Sequence, residues 1–183
     1  MAITQELTTL SSVSALLVQT LRSLGHDPAP LLTKAGIDPA DVGNPTTRIL
    51  TLRMQTLWRL ALGETGDPAL GLVAARHFQP AVLHGLGFAC LASDTLHDVL
   101  DRLVRYSRML NEIPDFTLQE TATTIDQVVQ LPELDPDFVH AAMDLGMAAF
   151  LRICQAQGLI EPGRLDRIAD GVPVRAGLDR LLG

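Results

Sequence analysis

The glycine pair Gly85 and Gly87 is the first feature of this 183-residue sequence that suggests chemistry, because closely spaced glycines can form a phosphate-binding turn. A dinucleotide-binding turn has the pattern G-x-G-x-x-G and connects a strand to a helix. Position 90 holds Cys90 instead of a third glycine, and a predicted helix beginning at Pro80 precedes the pair. The sequence therefore favours a packing role, in which the two glycines let another backbone approach closely.

The histidines and cysteines show no spacing typical of a catalytic or metal site. No two of the five histidines stand three or four residues apart on a predicted helix, as a helical metal-binding pair would. These histidines are His26, His77, His84, His97 and His140. Cys90 and Cys154 lie in apolar helical stretches, which predicts buried thiols rather than a disulfide framework. No nucleophile motif such as G-x-S-x-G is present. We therefore predict no catalytic residue, no metal ligand, no cofactor and no enzymatic activity.

The composition argues against two classes of partner. The net charge is −7, Lys34 is the only lysine, and aromatic residues make up 4% of the chain. Nucleic-acid binding requires clustered positive charge, so we predict no direct nucleic-acid binding by this chain. No apolar run reaches the roughly 18–20 residues of a membrane span, and the N-terminus lacks the basic region of a signal peptide. We therefore expect a cytoplasmic protein without a membrane partner.

Helical periodicity dominates the elements that would position these residues. The stretch 94–110 carries an apolar stripe that includes Leu96, Val99, Leu100 and Leu103, and it follows a cap at Ser93 or Asp94. A second long helix is predicted over 137–157, with shorter ones before residue 94. Alternating apolar and β-branched residues predict a small antiparallel hairpin near 115–131. The sequence thus predicts one domain over 1–183, of the α+β class and predominantly helical.

Three segments, in order, resemble the N-terminal effector-binding domain of AraC-type transcriptional regulators, in its arabinose-binding-domain subgroup. They are "LLTKAGIDPADVGNPTTRI", "TGDPALGLVAARHFQP" and "LHGLGFACLASDTLHDVLDRLVRYSRML". The resemblance is strongest over residues 12–160. It implies a non-enzymatic domain that binds a small-molecule effector and dimerises, with the helix at 94–110 or at 137–157 as a candidate dimer contact. The tail at 161–183 is predicted to be helical, which is atypical of this family. The family's helix-turn-helix region is absent from this sequence. This absence suggests a fragment, a truncation or a relative without a DNA-binding half.

The resemblance leads to a functional hypothesis with an alternative. The chain is expected to be the ligand-sensing and dimerisation domain of an AraC-type regulator, acting as a homodimer. The alternative is a stand-alone ligand-binding or protein-interaction module with no transcriptional role. One polar group and large apolar side chains beside small residues suggest a ligand pocket formed by His84, Phe88 and Tyr106, together with Leu83.

Overall fold

A computed structural model describes residues 7–112, 115–121, 125–130 and 136–159. These residues form seven α-helices and two antiparallel two-stranded sheets, which confirms the predicted α+β, predominantly helical fold. The helices are α1 (Ser11–Ser23), α2 (Ala29–Ala35), α3 (Thr51–Thr65), α4 (Leu70–Ala75), α5 (Gly85–Leu91), α6 (Leu96–Leu110) and α7 (Pro136–Ala156). The strands are β1 (Thr8–Leu10), β2 (Arg48–Leu50), β3 (Asp115–Glu120) and β4 (Ile125–Gln130). Short 3-10 turns occupy Pro39–Asp41 and Pro80–Leu83. The predicted tail at 161–183 lies outside the described residues.

The hydrophobic core lies between helices α1, α3, α4 and α7. Helix α1 contacts α3 and α4, and α7 packs on both α3 and α4. Leu17 and Leu21 of α1, Leu57 of α3 and Leu70 of α4 are completely buried, and Trp58 of α3 is nearly so. Burying each such side chain contributes about 1.5–3 kcal/mol relative to leaving it exposed. The packing of these four helices therefore fixes the position of α7, which supplies more of the cavity wall described below than any other element.

Helices α4 and α7 approach each other closely at a glycine. A Cβ atom added to Gly71 of α4 would lie 2.1 Å from the backbone oxygen of Ala141 and 3.0 Å from the Cβ of Asp144, both in α7. Only a residue without a side chain fits at this distance. Gly71 therefore sets the separation of the two helices.

A small sheet that the sequence did not predict connects the start of the chain to α6. Strands β1 and β2 pair antiparallel, with Thr9 opposite Ile49. Thr9 also forms a β-bridge with Asn111, the residue that follows α6. The Arg48 side chain strengthens this junction, because Nη1 donates to the backbone oxygen of Met109 at 2.7 Å and Nε donates to the Thr8 hydroxyl at 2.6 Å.

Helix α6 and the following hairpin form the other side of the molecule. Helix α6 begins two residues later than predicted, because Thr95 is its N-cap rather than Ser93 or Asp94. The Thr95 hydroxyl caps the helix by accepting from the backbone N–H of Asp98 at 3.1 Å, and it donates to the Asp98 carboxylate at 2.6 Å. Strands β3 and β4 pair antiparallel in one register from Asp115–Gln130 to Glu120–Ile125, and β3 contacts α6. The predicted hairpin is therefore present, and it packs against the helix that precedes it.

The region around the glycine pair differs from its prediction as one continuous helix. The chain forms a 3-10 turn at Pro80–Leu83, breaks at His84, and only then begins α5 at Gly85. His84 has φ 51° and ψ −136°, a backbone conformation that favours glycine. A Cβ on Gly87 would lie 1.8 Å from the backbone oxygen of Pro80, whereas nothing lies within 4 Å of one on Gly85. The close approach predicted for both glycines thus occurs at Gly87 alone.

Candidate ligand cavity

An apolar cavity of about 220 Å³, partly open to solvent, lies between α7 on one side and α1, α6 and the hairpin on the other. Side chains from α3, the segment that follows α4 and the turn at 80–83 complete its wall. Its lining residues are Thr9, Val13, Leu16, Trp58, Phe78, Val82, Leu83, Leu103, Ser107, Leu110, Asn111, Phe116, Gln127, Ala142, Met143, Leu145, Gly146, Met147, Ala149, Phe150 and Ile153. A cavity of roughly 150 Å³ is large enough to bind benzene. The space in this domain can therefore hold a somewhat larger organic molecule.

Helix α7 supplies the longest part of the cavity wall through its segment 142–153. Residues three and four apart share one helix face, which is why Ala142, Met143, Gly146, Ala149 and Phe150 all line the cavity. No heavy atom lies within 4 Å of a Cβ added to Gly146, beyond the surroundings of its own helix. A side chain introduced at position 146 would therefore enter open space on the cavity face of α7.

The polar groups of the cavity concentrate where β1 meets the end of α6. Thr9 of β1 pairs with Asn111, and Ser107 lies one helical turn before Asn111. The Thr9 hydroxyl donates to the backbone oxygen of Leu110 at 3.2 Å, and the Ser107 hydroxyl donates to the backbone oxygen of Val104 at 3.2 Å. A hydroxyl whose hydrogen is used in this way still has an oxygen lone pair that can accept. This junction therefore offers hydrogen-bond acceptors at one end of an apolar space.

The lining is uncharged throughout the described part of the chain. No aspartate, glutamate, lysine, arginine or histidine is among these residues, and the polar side-chain groups besides the three at the junction are the Gln127 amide and the Trp58 indole N–H. General acid–base or nucleophilic chemistry needs a base within hydrogen-bond reach of the reacting group. Ser107 has no such base among these lining residues.

The sequence-predicted pocket residues fall in different places. Leu83 lies on the cavity wall. His84 is partly buried at the break before α5 but does not line the cavity. Phe88 and Tyr106 point outward, with 60% and 42% of their surfaces exposed, and they do not line the cavity either. The structure therefore brings only Leu83 to this space, and a ligand-binding role for all four residues stays a prediction.

Sequence reasoning overlooked the stretch Ala142–Phe150, although the sequence contains a usable signal. The segment "AAMDLGMAAF" combines small residues with two methionines inside an otherwise regular helix. A glycine in a helix interior costs about 1 kcal/mol relative to alanine, so Gly146 suggests a reason other than helix stability. Methionine adapts to irregular apolar spaces, as Met143 and Met147 do on the cavity wall.

Titratable groups with a shifted pKa lie outside the cavity lining. Burial raises the pKa of the Cys90 thiol, and burial together with the neighbouring Cys90 raises the pKa of Cys154 to about 11. Both cysteines are free and buried, as the sequence predicted. In the described segments no group of three or more His, Cys, Asp or Glu residues is placed to hold a metal ion.

Two exposed carboxylates make hydrogen bonds that join neighbouring elements. The Thr8 hydroxyl and backbone N–H both donate to Glu112 at 2.7 Å, and these bonds hold the pKa of Glu112 below its usual range. The Glu120 carboxylate lies 2.9 Å from Nε2 of His97, and this hydrogen bond raises the pKa of His97. The first contact connects β1 to the end of α6, and the second connects α6 to β3.

A mainly helical fold around an apolar cavity with a few polar groups at one end is typical of a domain that binds a small molecule. Residues 25–169 match the family described as the arabinose-binding domain of AraC transcription regulators, N-terminal. Because this match covers well over half of the sequence, the chain belongs to that family of regulatory ligand-binding domains. No match was found among curated proteins. None of the described helices is long and apolar enough to cross a membrane.

Proposed function

We propose that this chain is the ligand-sensing and dimerisation domain of a cytoplasmic AraC-type transcriptional regulator, and that its effector binds in the cavity beside α7. The observation that carries the proposal is the cavity itself, an apolar space of about 220 Å³ inside a member of a ligand-binding family. Leu83, the one sequence-predicted residue on its wall, belongs to the proposed site.

The position of the cavity suggests how binding would affect the rest of the domain. Its walls come from β1 near the start of the sequence, from the end of α6 with the hairpin that follows it, and from α7. A ligand in contact with all of them favours the arrangement in which they enclose it, at the expense of more open arrangements. Effector binding would thereby change the surface that the domain presents to its partners.

A thermal-shift screen with two glycine variants tests the location of the site. A compound that binds the folded domain stabilises it by about 2.7 kcal/mol at 100 times its dissociation constant, or a rise in Tm of roughly 5–10 °C. Gly146→Phe should remove this rise because the new ring fills the cavity. Gly146→Ala is the matched control, since one methyl group leaves most of the space free. Equal shifts in both variants would place the ligand outside the cavity, and no shift with any compound would contradict the sensor proposal.

The four sequence-predicted pocket residues are tested in the same screen. Leu83→Ala should reduce the shift because it removes part of the wall. His84→Ala tests the sequence-based hypothesis that this histidine contacts the effector. A loss of binding in Phe88→Ala or Tyr106→Ala, with the domain still folded, would reveal a ligand contact on the outer surface.

Dimerisation is the second part of the proposal, and the outer face of α6 supports it. Tyr106 and Met109 stand one turn apart on this helix with 42% and 63% of their surfaces exposed. Exposed large apolar side chains that lie close together are typical of interaction surfaces. Sedimentation equilibrium should show a dimer that Met109→Arg weakens, whereas Leu24→Arg, at an exposed leucine near the end of α1, should leave it intact. A parent protein that remains monomeric at high concentration would contradict this part.

A further inference from the structure

The absence of charge in the described cavity lining restricts the class of ligand. A carboxylate or ammonium group moved from water into an apolar space is strongly disfavoured unless an opposite charge pairs with it. Arg48 contacts the residues that flank the polar end, but its Nε, Nη1 and Nη2 atoms already donate to Thr8 and to the backbone of Met109. The ligand should therefore be neutral in its bound form.

The distribution of polar groups argues against a sugar. Thr9, Ser107 and Asn111 meet at the junction of β1 and α6, and Gln127 adds one polar group from the hairpin. The other walls are leucine, phenylalanine, methionine and similar side chains. A pentose carries hydroxyl groups all around its ring, and most of them would lose water without gaining a hydrogen-bond partner. A molecule with a single polar end matches the lining better.

The hydrogen-bond directions at Thr9 and Ser107 favour a donor on the ligand, while the amides of Asn111 and Gln127 can both donate and accept. The hydroxyls of Thr9 and Ser107 both donate to backbone oxygens, of Leu110 and Val104 respectively. Their oxygens therefore present acceptors, and a ligand group that approaches them must donate. An alcohol or phenol hydroxyl can donate, whereas an ether or ester oxygen cannot.

From these observations we propose that the cavity binds a neutral, largely apolar molecule that carries one hydrogen-bond donor at one end, such as a medium-chain alcohol or a small alkylphenol. The inference rests on the proposed function and adds the ligand class. The cavity volume of about 220 Å³ is roughly half as large again as one that binds benzene, which sets the ligand at roughly nine non-hydrogen atoms. The donor faces Thr9 and Ser107, and the chain of the ligand contacts Met143, Met147 and Phe150 along α7.

A panel of four probes of similar size tests this proposal by calorimetric titration at pH 8. They are 1-octanol, 1-methoxyheptane, octanoate and arabinose. We expect 1-octanol to bind most tightly. 1-Methoxyheptane should bind about fivefold more weakly than 1-octanol, because the ether has no O–H group to donate. Octanoate and arabinose should show no binding in the cavity. In Ser107→Ala, the preference for the alcohol over the ether should shrink toward unity, while Arg105→Ala, at an exposed position on the same helix, should keep it.

The outcomes separate this inference from the proposed function. Binding of octanoate or arabinose that Gly146→Phe abolishes would overturn the ligand class but leave the cavity as the effector site. Equal affinity for 1-octanol and 1-methoxyheptane would overturn the donor assignment. Binding of 1-octanol that persists in Gly146→Phe, or no binding at all, would also overturn the inference. Gly146→Leu replaces the phenylalanine variant if the latter does not fold.

Discussion

Replacing Gly71 with alanine should force helices α4 and α7 apart and destabilise the domain. The new Cβ would lie 2.1 Å from the backbone oxygen of Ala141, whereas a carbon–oxygen contact needs roughly 3.3 Å. The helices must therefore separate by about 1 Å, because a helical carbonyl cannot turn aside. Overpacking costs about 1–3 kcal/mol, and a Cβ only 2.1 Å from a backbone oxygen puts this substitution at the upper end, about 2–3 kcal/mol. Alanine recovers up to about 1 kcal/mol through its helix propensity, which leaves a net loss of about 1–2 kcal/mol.

Urea denaturation measures this loss, with Gly146→Ala as the matched control. With a slope of about 2 kcal/mol per molar urea, Gly71→Ala should lower the midpoint by roughly 0.5–1 M. Gly146 has open space around it, so alanine at this position should raise stability by about 0.5–1 kcal/mol. If Gly71→Ala unfolds at the parent midpoint or above, α4 and α7 are not in the close contact described, and the position of the cavity wall on α7 is wrong.

Three further predictions concern the titratable groups. The lowered pKa of Glu112 stabilises the fold above the ordinary glutamate pKa near 4.3, and this stability is lost as the pH falls through the lower folded pKa. Amide hydrogen exchange at Thr8 should therefore accelerate at acid pH in the parent protein. Glu112→Gln should abolish this acid dependence. The raised pKa of His97 contributes folding stability that is fully present below pH 6.5 and is lost as the pH rises through the pKa of the folded state. NMR titration should show the pKa of His97 falling in Glu120→Gln but not in a variant distant from α6. Cys154, with a pKa near 11, should react with a thiol reagent far more slowly in the native protein than in urea, and rapid native labelling would contradict its burial.

The sequence predicted the helices with long apolar stripes but not the short strands. The stripe of α6 repeats over four turns, so its period is clear within one window of sequence. Strands β1 and β2 contain only three residues each and are separated by almost forty residues, so neither has a recognisable alternation. Their pairing depends on the tertiary contact with the end of α6. A local sequence pattern cannot predict such a contact.

The candidate site was less predictable for a related reason. The pocket prediction relied on small residues near Gly87, but that glycine accommodates the carbonyl of Pro80. Leu86 and Cys90, four residues apart, form the buried face of α5, and Phe88 between them lies on the opposite face toward solvent. A cavity formed by elements distant in sequence is determined by how the helices pack, which periodicity does not reveal. Only Leu83, adjacent to the break, was both predicted from sequence and located on the wall.

The most direct test of the central claim is an NMR titration of protein labelled at its methionine methyl groups. Met143 and Met147 line the cavity, and Met109 is exposed on α6. If the effector site is the cavity, 1-octanol or any other compound found in the thermal-shift screen should shift the Met143 and Met147 signals more than the Met109 signal. The Met143 and Met147 shifts should disappear in Gly146→Phe. Shifts confined to Met109, or shifts of Met143 and Met147 that persist with the cavity filled, would contradict it.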